Sequence, residues 1–311
     1  MQSPHIALLC ATARGEACLR KIAALLPHAR LTVFSFREEP WEPPFFKGIR
    51  EFSEQASFAF HEAKSLAAAQ GAAGWRTSPP DLLLAVNWRY LVPREIFSLP
   101  RMGAFVFHDS LLPAYRGFSP TVWAMINGQS QTGATLLEMA DGVDAGGIVD
   151  QAAVPIGEDD CIGTVVQRVT DSYLELLERN LTGLLAGFAC PKAQDSRLAT
   201  FCCKRLPEDN RIDWKMPAEQ IHNLIRATTR PYPGAFTSLS GRQLKVWSAR
   251  RVEVVKSYVG AVPGRVVEII PGEGVLVLTG TSPLLLCEVQ LGSETPTLAD
   301  TTLNKLAHTL C

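Results

Sequence analysis

The stretch His108-Asp109-Ser110-Leu111-Leu112-Pro113-Ala114-Tyr115-Arg116-Gly117 puts an imidazole where the apolar run 103–108 breaks into a turn. Open α/β folds place their chemistry at such strand-to-loop exits. A second chemical group lies in the glycine-rich stretch 141–150, DGVDAGGIVD, which carries three aspartates. Asp141 reads as a turn residue and Asp150 as part of the next strand. Asp144 is flanked by small residues that permit close backbone approach, and is the carboxylate expected to meet His108. A carboxylate beside an imidazole raises its pKa and supplies a base, which suits transfer of a group to a neutral amine.

The elements that must hold these two groups are legible from periodicity. HIALLC (5–10), RLTVFSF (30–36), DLLLAVN (81–87) and GAFVFH (103–108) are short apolar runs, as expected of strands covered on both faces of a parallel sheet. EACLRKIAALL has helical spacing, VPREIF reads as a short helix, and SPTVWAMING predicts a helix with Ser119 as N-cap. TGATLLEMA and IVDQAAVPI predict two strands paired across the Asp144 loop, followed by a long helix over 163–185. Around 189–215 the chain turns polar and is broken by prolines, which marks a boundary.

Beyond it come a helix in PAEQIHNLIRATTR and short strands in AFTSL, QLKVWSARRVEV, GRVVEII, GVLVLTG and LLLCEVQL, with turn residues between them. A terminal helix is expected in LADTTLNKLAHTL. The fold class is therefore α/β, a Rossmann-like, mostly parallel sheet with a smaller β-rich domain. Residues 1–190 form the catalytic domain, 191–210 a linker and 211–311 the second domain.

Composition narrows the function. The 311 residues carry a net charge of −1, which argues against a strong electrostatic grip on nucleic acid or an anionic membrane. No apolar run is long enough to cross a bilayer, and the first residues run directly into a strand pattern rather than a leader, so the expected location is the cytoplasm. The eight cysteines include no CxxC pair and read as free thiols of a reducing compartment. There is no HExxH or cysteine cluster, no P-loop, and no GxGxxG after the first strand, so neither a metal nor ATP or NAD is expected.

The string HDSLLPAYRG, followed by a helix containing WA and NG, by TGAT and by DGVDAGGI, resembles the N10-formyltetrahydrofolate-dependent formyltransferases. PEDNRIDWKMPAEQIHNLIRATTRPYPGAF (207–236) is most similar to the enzymes that formylate UDP-4-amino-4-deoxy-L-arabinose, and methionyl-tRNA formyltransferase is a more distant likeness. The resemblance spans nearly the whole chain and gives the second domain an OB-like fold.

It implies transfer of a formyl group from the co-substrate N10-formyltetrahydrofolate to an amine, without a metal. His108 matches the family histidine that stabilises the oxyanion formed when the amine attacks. Asp144 matches the aspartate that assists removal of the amine proton. Val86, Trp88, Tyr90 and Leu91 fall in the loop lining the pterin pocket, and Gly142 joins them as a cofactor-side residue. Ser110, Leu111, Pro113, Arg116 and Gly117 fall in the loop that shapes the folate and acceptor clefts. Arg230 matches a motif between domains and serves structure or substrate.

One departure stands out. The family carries Asn-x-His at this strand end, and here the asparagine position is Val106. Asn87, at the end of the preceding core strand, is the candidate replacement donor toward the formyl oxygen. Loss of that donor also leaves open a folate- or nucleotide-sugar-binding protein with weak or altered activity. The stretch 37–55 has mixed charge and no basic block, so a nucleotide-linked amino sugar is expected as acceptor ahead of tRNA, and a homodimer is compatible with the sequence.

Overall fold

The computed structural model describes residues 3–40, 42–66, 72, 74–253 and 256–311. The chain divides into two compact units: residues 1–120, 131–155 and 167–202 form the first, and 121–130, 156–166 and 203–311 the second.

In chain order the elements of the N-terminal two-thirds are β1 (His5–Cys10), α1 (Thr12–Leu25), β2 (Arg30–Ser35), α2 (Phe46–Gln55), β3 (Ala59–Glu62), β4 (Leu82–Val86), α3 (Arg94–Phe97), β5 (Ala104–His108), β6 (Arg116–Gly117), α4 (Pro120–Ile126), β7 (Gln131–Glu138), β8 (Ile148–Pro155), α5 (Ile162–Leu185) and β9 (Phe201–Cys202). The main sheet has seven strands in the order β3-β2-β1-β4-β5-β7-β8. Its first five strands run parallel, while β7 and β8 join antiparallel.

Side-chain alternation divides the sheet. One face carries Ala7, Leu9, Phe34, Leu83, Ala85 and Ala104 into an apolar cluster that Val106 and Trp88 also touch. On β5 the intervening Phe107 stacks on Tyr173 of α5, with ring centroids 4.8 Å apart. Buried Val169, Tyr173, Leu176 and Leu177 recur at the helical period, which is why α5 lays one continuous stripe down. Close packing of α1 follows from Gly15, where a Cβ would stand 3.0 Å from Cys10 Cβ.

The second unit adds α6 (Ala218–Thr228), β10 (Ala235–Leu239), β11 (Arg242–Arg251), β12 (Val266–Ile270), β13 (Gly274–Val277), β14 (Leu284–Leu291), β15 (Thr297–Leu298) and α7 (Ala299–Thr302). Its six-stranded antiparallel sheet runs β10-β11-β14-β13-β12, with β15 paired to β14. The core joins Leu244, Val246, Val275, Leu286 and Val289 to Trp214 and Ile221.

The α/β class with a β-rich second unit thus matches the sequence expectation, and three local expectations are corrected. The terminal helix stops at Thr302, because the chain turns back to bridge Thr309 with Arg265 and to bury Leu310. Ser119 takes φ 52°, not the extended conformation of an N-cap. The strand expected over 243–254 ends at Arg251, and Val254 lies outside the described residues. Among the described residues no helix is long and apolar enough to cross a membrane.

Candidate active site

His108 is the last residue of β5 and is buried there. Its Nε2 lies 2.8 Å from the carbonyl oxygen of Tyr115. A carbonyl only accepts, so Nε2 carries the proton and donates. In the neutral ring the bare Nδ1 then faces outward from that bond, and the structure puts Asp144 Oδ2 3.5 Å from it. Two acceptors opposed in this way define a place for one proton: a proton delivered to Nδ1 makes an imidazolium with a carboxylate beside it.

Asp144 is held independently. The Gly117 N–H donates to the same Oδ2 at 2.8 Å. Gly117 has φ 101°, and a Cβ there would sit 2.6 Å from the carbonyl oxygen of Cys202, so this short strand position admits only glycine. Asp144 itself takes φ 47°, a left-handed conformation in which Asp is better tolerated than most residues. The backbone of its loop passes so close to β7 that a Cβ on Gly146 would fall 1.7 Å from the Glu138 carbonyl oxygen. The sequence expectation that the imidazole and this carboxylate converge is met in the geometry.

The loop 109–117 is pinned from beneath. Ser110 is buried and donates to the Ala114 carbonyl at 2.7 Å, while its own carbonyl accepts from Thr135 Oγ1 at 2.6 Å. Gln151 Nε2 donates to the Leu112 carbonyl and to Thr135 Oγ1 at 3.0 and 2.8 Å. Leu111 packs over Gly133, and the Pro113 carbonyl accepts from the Thr200 N–H at 3.3 Å. Arg116 is buried and paired with Gln194, to which Nε and Nη2 donate at 3.1 and 2.7 Å. Ser110 and Arg116 therefore spend their polar groups on the protein itself.

At the end of β4, Val86 pairs with Phe107, which brings the following residue, Asn87, level with His108. Asn87 takes φ 53°, and its Oδ1 is buried without a hydrogen-bond partner. The indole Nε1 of Trp88 is likewise buried and unpartnered. Val86 is fully buried and its carbonyl accepts from the Ala11 N–H at 3.1 Å. Trp88 and Tyr90 meet edge to face at 5.8 Å, and both stand against Phe36. Leu91 is exposed, and Gly142 turns the Asp144 loop with φ 95°. Val106 packs in the apolar cluster between Ala85 and Leu137. Arg230 belongs to the second unit, where it pairs with Glu288 at 2.9 Å and lies over the Trp247 ring at 4.3 Å.

Sequence reasoning missed four features. Gln194 and the Thr135–Gln151 pair act on backbone carbonyls far away in the chain, and nothing in their spacing announces it. Asp141, read as a turn residue, pairs with Arg94. Asp109 leaves the strand on the face opposite His108, and there pairs with Arg14 at 2.5 Å and accepts from the Tyr173 hydroxyl. Burial alone would raise the Asp109 pKa; the guanidinium and the phenol hydroxyl instead hold it below the usual carboxylate value.

Comparison with solved structures gives the same architecture. HypX from Aquifex aeolicus, solved in complex with tetrahydrofolic acid, aligns over 98% of this chain and 48% of its own, with a TM-score of 0.66 and 17% identity. This chain thus spans about half the length of HypX. The N-formyltransferase from Helicobacter canadensis, solved with folinic acid and dTDP-3-aminofucose, aligns over 90% of this chain and 98% of its own, with a TM-score of 0.69 and 15% identity. Methionyl-tRNA formyltransferase from Clostridium thermocellum aligns over 80% and 94%, with a TM-score of 0.54 and 18% identity. At these identities the likeness is one of fold. The profile described as formyl transferase matches residues 41–181, and that described as formyl transferase, C-terminal domain, matches residues 205–307. With both domain profiles matched in order, the chain belongs to the formyltransferase family.

Proposed function

We propose that this chain transfers a formyl group from N10-formyltetrahydrofolate to the amine of a nucleotide-linked amino sugar, in the cytoplasm. The observation that carries the reading is the opposed pair of acceptors, His108 Nδ1 and Asp144 Oδ2, at the carboxyl end of β5. An amine that attacks an acyl carbon must shed a proton. Nδ1 takes it, Asp144 stabilises the imidazolium, and the Tyr115 carbonyl keeps the ring from turning away.

The co-substrate supplies the activated formyl carbon when bound. Its fit rests on the two buried, unpartnered polar atoms at the end of β4, Asn87 Oδ1 and Trp88 Nε1. Buried polar groups normally have partners, and a ring system rich in donors and acceptors would provide them. Asn87, Trp88 and Tyr90 would hold it, and the Asn87 amide would serve the formyl oxygen.

The sugar acceptor is favoured over tRNA by a chain of net charge −1. The sugar N-formyltransferase likeness supports the same choice. A second reading, a folate- or nucleotide-sugar-binding protein of weak activity, has one observation behind it: Val106 places an apolar side chain where the family has its donor.

The deciding experiment incubates the protein with N10-formyltetrahydrofolate and a panel of UDP- and dTDP-linked amino sugars, with initiator methionyl-tRNA alongside, and follows products by mass spectrometry. Formylated nucleotide sugar is the expected product. Formylated methionyl-tRNA, or tight binding of folate with no turnover, would overturn the proposal in favour of the tRNA or the binding-protein reading.

A further inference from the structure

Gln194 makes four hydrogen bonds with one amide. Its Nε2 donates to the carbonyl oxygens of Asp144 and Gly146, both at 2.7 Å. Its Oε1 accepts from Arg116 Nε at 3.1 Å and Nη2 at 2.7 Å. Two N–H donors and two lone pairs are the whole capacity of a carboxamide, so this one is saturated. Its orientation is fixed as well. Turned over, the amide would aim its oxygen at two carbonyls and its NH2 at a guanidinium.

The two groups it joins are the two that hold the carboxylate. Asp144 belongs to the loop whose backbone receives the donors. Arg116 precedes Gly117, whose N–H donates to Asp144 Oδ2 at 2.8 Å. The bonds span 48 to 78 residues of chain, so they set tertiary positions and are not consequences of a local turn. The Asp144 backbone also sits at φ 47°, a conformation that lasts only where the surroundings impose it.

We infer that Gln194 is a positioning residue: it fixes the distance between Asp144 and His108 by clamping the Asp144 loop to the strand that carries Gly117. The inference rests on the reading of His108 Nδ1 as the group that receives the amine proton and of Asp144 as the carboxylate that stabilises it there. It goes beyond that reading by naming what holds the carboxylate in place.

Two variants test it. Gln194→Glu keeps a partner for buried Arg116 and loses both donors to the loop carbonyls. Gln194→Met keeps the volume without adding charge. A misplacement of about 1 Å costs up to about 10²-fold in rate, so kcat should fall by about 10- to 10²-fold in both. KM for the folate should stay within about twofold, because uniform binding is untouched. A readout besides activity is the Gly117 amide proton, whose NMR shift reports its bond to the carboxylate and should move in both variants. Unchanged kcat in the folded variants would overturn the inference, and so would an unmoved Gly117 resonance. Should the wild-type protein itself transfer no formyl group, the functional proposal fails, and the Gly117 resonance alone decides whether Gln194 holds the loop.

Discussion

Two carboxylates flank the end of β5, and they are almost equally exposed, Asp109 at 20% and Asp144 at 18% of the side chain. Burial therefore does not distinguish them; their partners do. Asp109 faces a guanidinium that is itself 5% exposed and a phenol hydroxyl, with Arg14 further fixed by Thr170 at 3.1 Å and by the Tyr173 ring at 4.8 Å. Its charge is matched within the fold. Asp144 has one backbone N–H at 2.8 Å and an imidazole at 3.5 Å, the arrangement on which the proposed proton transfer rests. His108, the last residue of β5, and Asp109, which follows it, thus take opposite parts: Asp109 closes an ion cluster, and His108 faces the carboxylate on which the proposed proton transfer rests.

The sharpest break of this comparison is Asp144→Asn. It keeps the shape of the side chain and an oxygen for the Gly117 N–H, and removes the charge that stabilises an imidazolium. Loss of general-base assistance lowers kcat by about 10²–10⁴-fold. Stability against urea should stay within about 1 kcal/mol, the size of one altered hydrogen bond. A variant that loses stability and not rate would place Asp144 with Asp109, among the structural charges.

Asp109→Ala should behave in the converse way. Removing one partner of a buried pair leaves the other uncompensated and costs about 3–5 kcal/mol of stability, read by urea unfolding. The pH dependence carries its own sign. The native Asp109 pKa lies below that of the unfolded chain, so the unfolded state binds the proton first as pH falls. The contribution is complete above the usual carboxylate pKa, near pH 4, and is lost progressively below it. The Asp109→Ala protein should lack that part of the acid limb. An acid limb unchanged from wild type would show that Asp109 is not held low by its partners.

How much of this was legible in the chain follows from the range of the forces involved. β1, β4 and β5 announced themselves because strands covered on both faces must be apolar throughout. The strands of the second unit showed as short apolar runs with turn residues between them. α2 and β3 gave no signal: α2 buries only Phe46, Ile49 and Ser53, and β3 is an edge strand paired to β2 alone. At the site, His108 and Asp144 stood out through local sequence, a strand end and a glycine-rich loop. Gln194 and Asp109 did not, because their partners are brought near only by the tertiary fold. A saturated amide and a closed ion cluster leave no periodicity behind.

A further effect on rate separates the two readings of Val106. The β4–β5 register sets Asn87 level with His108, and the Asn87 amide has a buried oxygen with no protein partner. A half-turn about χ2 brings its NH2 to the same place, so the side chain can present either a donor or an acceptor. Removing one preorganised donor from an oxyanion site costs about 10²–10³-fold in rate. Asn87→Ala should therefore lower kcat by that factor with little change in stability, since the amide oxygen makes no bond in the fold. Val106→Asn, added to Asn87→Ala, should recover part of the rate by restoring a donor two residues before His108 on the same strand face. Turnover of Asn87→Ala within about twofold of wild type would remove Asn87 from the chemistry, and would leave the open proton site at His108 and Asp144 without any side-chain donor for the developing charge.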